Sequence, residues 1–132
     1  MVRAAALEAV NRFRAEVGLT PVAADAALDR AAQRHAEAMR ERGFYDHRGA
    51  DGSSPRKRAV DAGYPRPGGV GENIAKGIFG GAEVVERWMK SQGHRENLLR
   101  PAARFAGLGV AVGDSGRAGE CVEVFWAQLL GR

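Results

Sequence analysis

Cysteine is nearly missing from this 132-residue chain. Its single thiol, Cys121, excludes an internal disulfide framework and leaves the cellular compartment open. No apolar run approaches the roughly 20 residues that a helical membrane span needs, and Met1 to Leu7 passes straight into a charged amphipathic pattern. The chain therefore reads as soluble, with any export signal expected to have been removed. Lysine is scarce too, limited to Lys57, Lys76 and Lys90, so the formal charge of +4 rests on scattered arginines. Arg56-Lys57-Arg58 is the one local basic cluster, and a solvated helix face explains it better than a nucleic-acid patch. No aromatic residues interleave the basic ones, so nucleic-acid binding is not expected. Gly77, Gly80 and Gly81 lack both the phosphate-loop lysine and a dinucleotide-binding spacing, which removes the case for a nucleotide site.

What is present suffices for one domain spanning 1–132, long enough to bury about two-thirds of its unfolded surface. Ala6, Val10, Phe13 and Val17 recur at helical spacing and predict a helix over residues 3 to 17, stopped by Gly18. Asp25 is the expected N-cap of a second helix whose apolar stripe runs through Leu28, Ala32, His35 and Met39 to about residue 42, ended by Gly43. Ser54-Pro55 predicts a short helix, and Tyr64 to Gly71 an extended loop delivering Glu72, with Ile74 and Ala75 a short strand or the turn into one. A helix over 82 to 90 breaks before a helical turn that is expected to re-enter after Gly93. Leu108, Val110 and Val112 alternate with small residues, and Val122 to Leu130 is more continuously apolar. Helices first and a hairpin last predict an α+β domain with an antiparallel sheet covered by helices.

The stretch Gly71-Glu72-Asn73-Ile74-Ala75 places an acid between glycines and apolar residues, an unusual position for a charge unless it faces a lined cavity or a cation. His47 lies in a loop, Gly43 to Gly49, expected to be anchored by Phe44 and Tyr45, where binding residues concentrate; a surface histidine making a local hydrogen bond is the plainer reading. His94 falls at the start of a helical turn, whose positive dipole end favours the neutral, metal-binding imidazole. His35 sits on a core-facing stripe and reads as a buried, hydrogen-bonded packing residue rather than a ligand. Cys121, in a strand, is expected to be buried and inert.

Several of these segments, in order, carry a resemblance: Asn11-Arg12-Phe13-Arg14 with Val17-Gly18-Leu19, the helix through His35 and Met39, Phe44 to Gly49, Gly71-Glu72-Asn73-Ile74, Trp88 to Leu99 with Gly93-His94-Arg95, Gly107-Leu108-Gly109-Val110, and Phe125-Trp126-Ala127-Gln128. Together they resemble the CAP superfamily of cysteine-rich secretory proteins, antigen 5 and pathogenesis-related protein 1, in its short bacterial form. The resemblance covers nearly the whole chain. It implies an α-β-α sandwich, a small antiparallel sheet between helical layers, around a central cleft. In that family two histidines and two glutamates line the cleft, and the histidine pair can hold zinc or another divalent metal. His47 and His94 match the histidines, Glu72 matches one glutamate, and Ser91 stands where the second would be, three residues after Trp88.

Two imidazoles with water, and with Glu72 either ligating directly or orienting a histidine, would make an open zinc site of modest affinity. The resemblance further implies an extracellular or cell-envelope protein, expected to be a monomer. It would bind a lipid or other small apolar ligand, or an envelope component, in a cleft for which Phe44, Tyr45, Tyr64 and Ile74 are the candidate apolar lining. Two alternatives stand beside it. One is a metal-assisted hydrolase with Glu72 as general base, for which no His-Glu-x-x-His or activated nucleophile is seen. The other is a structural envelope or spore-coat interaction module.

Overall fold

The computed structural model describes residues 2–77, 79–113 and 123–132. The chain order is α1 (Val2–Glu16), β1 (Ala23–Ala24), α2 (Ala26–Arg42), α3 (Pro55–Asp61), β2 (Gly71–Lys76), α4 (Gly81–Met89), α5 (Gln92–Leu98), β3 (Phe105–Gly113) and β4 (Glu123–Gly131). The helix ends follow local chemistry. Asp25 accepts a hydrogen bond from Leu28 N at the start of α2, and Gly43, at φ 67°, closes it in the left-handed conformation. Ser54 caps α3 by accepting from Lys57 N, with Pro55 in its first turn.

The sheet runs β1-β3-β4-β2. Its three long strands are antiparallel neighbours, but Ala23 and Ala24 pair in parallel with Phe105 and Ala106, so the sheet is not wholly antiparallel as expected. Side-chain alternation then splits the core in two. One face buries Val10 of α1 and Val84, Val85 and Trp88 of α4 against Leu108, Val124, Trp126 and Leu130. The other buries Leu28, Ala32 and Met39 of α2 and Ala59 of α3 against Ile74, Phe125, Ala127 and Leu129. The result is a helix–sheet–helix sandwich of the α+β class.

Several expected details differ. β3 begins at Phe105 rather than Leu108, and β2 takes in Glu72, which the loop was expected to deliver. α5 starts at Gln92, so Gly93 lies inside the helix and the break falls at Ser91. Val17 lies beyond α1 and is exposed, whereas Arg14 is fully buried and donates to the carbonyls of Thr20, Leu98, Arg100 and Ala103. A buried guanidinium satisfied by four carbonyls ties the end of α1 to the end of α5 and the approach to β3. Cys121, Val122 and the connection between β3 and β4 lie outside the described residues.

β3 and α2 approach almost backbone to backbone. A Cβ at Gly107 would stand 2.2 Å from Leu28 C, and one at Gly109 2.3 Å from Gln33 N. Only glycine admits this contact, and it brings α2 side chains onto the edge of β3 that two-residue β1 leaves open. Asp29 accepts from Leu108 N, while Gln33 accepts from Val110 N and donates to Val110 O. Polar side chains thereby finish the ladder and blunt the free edge.

Candidate metal and ligand cleft

The three residues Gly71-Glu72-Asn73 open β2, the sheet's other edge strand, and strand alternation sends Glu72 and Asn73 to opposite faces. Glu72, beside Leu129, enters the face covered by α2 and α3; its side chain is 1% exposed. A buried carboxylate costs several kcal/mol unless its oxygens are matched. Both are. Oε1 accepts from His47 Nδ1 at 2.8 Å and Oε2 from Arg58 Nη2 at 2.8 Å. Arg58 also donates to the carbonyls of Ser53 and His47, so a single guanidinium fastens the His47 loop to the strand.

Arg58 is the residue that sequence reasoning missed. It was expected on a solvated face, yet its side chain is only 11% exposed, because the face of α3 that carries Ala59 and Ala62 at helical spacing also includes position 58. Arg56 and Lys57 do lie in solvent. That spacing was the available signal.

The three histidines occupy distinct surroundings. His47 is half exposed, and the hydrogen bond to Glu72 raises its proton affinity above the ordinary imidazole value against an opposing effect of burial. Because a carboxylate only accepts, Nδ1 carries the hydrogen and Nε2 of the neutral ring keeps its lone pair. His94, in the first turn of α5, has its proton affinity lowered by burial and then by the charge of His47. His35 is buried as expected; its Nε2 donates to Asp46 O at 2.8 Å and lies 3.9 Å from Glu72 Oε1. Burial lowers its proton affinity, with Glu72 opposing.

Asn73 and Asn97 fix α5 against β2. Asn97 Nδ2 donates to Glu72 O and to Asn73 Oδ1, and Asn73 Nδ2 donates to His94 O. Gly71 lies close beside them: a Cβ there would meet Asn97 Oδ1 at 2.9 Å and displace that side chain. Glu72 therefore holds His47 through its side chain and the α5 segment carrying His94 through its backbone. Ser91 stands at the N-cap of α5, exposed and without a capping hydrogen bond. Among the described residues no set of three or more His, Cys, Asp or Glu side chains is grouped as metal ligands. The expected aromatic lining is corrected as well. Tyr64 and Ile74 belong to the core, Phe44 packs edge-on against His35, and Tyr45 faces solvent.

The sequence profile of the Cysteine-rich secretory protein family, CAP, matches residues 7–130. The chain belongs to the CAP family. It is 36% identical over 110 residues to YkwD of Bacillus subtilis, an uncharacterized protein of which those residues make up 42%, while they cover 83% of this chain. It thus spans less than half of that bacterial relative. Among solved structures, an extracellular SCP-domain protein of Bacillus anthracis superposes with a TM-score of 0.80 at 24% identity, covering 99% of this chain and 40% of that one. NaASP2, solved with Zn2+, superposes with a TM-score of 0.64 at 16% identity over 98% of this chain and 78% of its own. At these identities the superpositions establish the CAP fold. No helix among the described residues is long and apolar enough to cross a membrane.

Proposed function

We propose that this CAP domain is a secreted or envelope-associated binding module whose cleft over β2 holds a divalent cation, zinc foremost, between His47 and His94. The observation that carries the reading is the commitment of His47 Nδ1 to buried Glu72, which leaves Nε2 as the free donor atom. A carboxylate that orients a metal-binding imidazole is the ordinary outer support of zinc sites. Lowered proton affinity at His94 supplies the second neutral nitrogen. With two protein ligands, the remaining positions of a tetrahedral ion fall to water or to an incoming ligand, so affinity is modest and the site open.

Binding is preferred to hydrolysis because Glu72, the general base of the hydrolase reading, has both oxygens engaged and is enclosed, so it is not free to activate water. A small apolar ligand would not find the aromatic wall that the sequence suggested. The apolar space that supports such a ligand is instead a cavity of about 240 Å³ between α1 and β3, lined by Ala6, Leu7, Ala106 and Leu108. The extracellular setting draws support from the B. anthracis protein, which is described as extracellular.

Titration of chelator-stripped protein with zinc in a calorimeter tests the cation. One site is expected, absent in His47→Ala and in His94→Ala. Undiminished binding in the double variant would refute the assignment.

A further inference from the structure

Arg58 and His35, both beside the Glu72 carboxylate, also line a second cavity, of about 390 Å³, between α2, the 49–53 loop and α3. Neither His47, Glu72 nor His94 lines it. Its α2 wall is built from Ala31, His35, Ala38 and Arg42, which follow one another at four, three and four residues and so share a helix face, with Arg34 beside them. The alanines leave the space, and the arginines charge its rim.

The charges lining this cavity do not cancel. Arg58 is matched by Glu72, and Asp61 by Lys57 Nζ at 2.9 Å. Asp51 is the remaining acid; Ser53 N donates to its Oδ1, and the hydrogen bonds from Ser53 keep it ionised. Against that one carboxylate stand Arg34 and Arg42, neither of which has a carboxylate within 4.0 Å among the described residues. Arg58 has no reachable donor to spare: Nη1 donates to Ser53, Nη2 to His47 O and Glu72, and Nε is enclosed.

We infer that the cavity between α2 and α3 is a binding site for a small oxyanion, a carboxylate or phosphate group held by Arg34 and Arg42 at the rim. Guanidinium groups are suited to this because their planar donors match the oxygens of either group in pairs. The site is separate from the histidine cleft and does not depend on a metal there.

The test is calorimetric titration of the chelator-stripped protein, at low and constant ionic strength, with inorganic phosphate, with acetate, and with chloride as control. Saturable one-to-one binding of phosphate or acetate, but not chloride, is expected, and the stronger of the two identifies the group. Replacing both rim arginines, R34Q with R42Q, should weaken binding by about tenfold or more, since each charged hydrogen bond contributes on the order of one such factor. Ala38→Phe, which fills the cavity while keeping every charge, should abolish it. Absence of saturable binding by either anion overturns the proposal, as does binding that survives both R34Q/R42Q and the filled cavity. The double arginine variant alters only exposed side chains, so its result stands even where Ala38→Phe fails to fold.

Discussion

At the scale of single residues, the arrangement turns on a carboxylate that cannot be left alone. Glu72 is enclosed, and Arg58 is its one permanent countercharge. Arg58→Met should therefore lower stability by about 3–5 kcal/mol in urea unfolding, the usual result of stranding a buried charge. Adding Glu72→Gln should recover part of that loss; a loss below about 1 kcal/mol in the single variant would show that the pair is not what holds the loop. The histidines predict opposing pH effects. His35 and His94 have folded-state proton affinities below the ordinary 6.5, so the unfolded chain binds more protons there and stability falls as pH drops below about 6.5. His47 is raised, so its contribution is complete below about 6.5 and fades as pH climbs through the higher folded value. His35→Gln, whose amide can still donate to Asp46 O, should flatten the acid limb of a stability–pH curve; an unchanged slope would exclude His35 as its source. Glu72 and His47, which the structure pairs, could be singled out from residue type and motif. Arg58 and Arg14 could not, because a guanidinium reads as surface until its partners are known, and those partners are distant carboxylates and carbonyls.

Among the elements, capped helices could be read in advance and paired edges could not. Asp25, Gly43 and Ser54-Pro55 act within four residues of themselves, so their chemistry is written locally. β1 is two alanines with no strand signal, and it exists because β3 offers it a ladder. The same long-range logic explains the strand's glycines. Gly109→Ala would press a methyl group into the α2 backbone and should cost about 1–3 kcal/mol or more, as overpacking does. Gly93→Ala has open space and a helical backbone, and should stabilise by about 0.5–1 kcal/mol. Thermal unfolding of the two variants provides the contrast. Equal effects would mean that α2 and β3 do not make the backbone contact on which the α2 edge-capping depends.

The whole molecule is a CAP sandwich in which helices from both layers bear on one edge strand. α3 and the loop after α2 reach the Glu72 side chain, while α5 holds its backbone, so this arrangement is a property of the assembled layers rather than of any motif. That is why the family was legible from ordered segments spread along the chain, whereas the aromatic lining was not: whether Tyr64 faces a ligand or a core depends on where the chain after α3 settles against β3 and the C-terminus. The measurement that bears most directly on the central claim is long-range nitrogen–proton correlation spectroscopy of the histidine rings, with and without zinc. His47 should be protonated at Nδ1 when neutral, with zinc-induced shifts at His47 Nε2 and at a ring nitrogen of His94, and His35 should be unmoved and bear its proton on Nε2. Zinc that leaves His47 and His94 unchanged, or that shifts His35 instead, would contradict that claim.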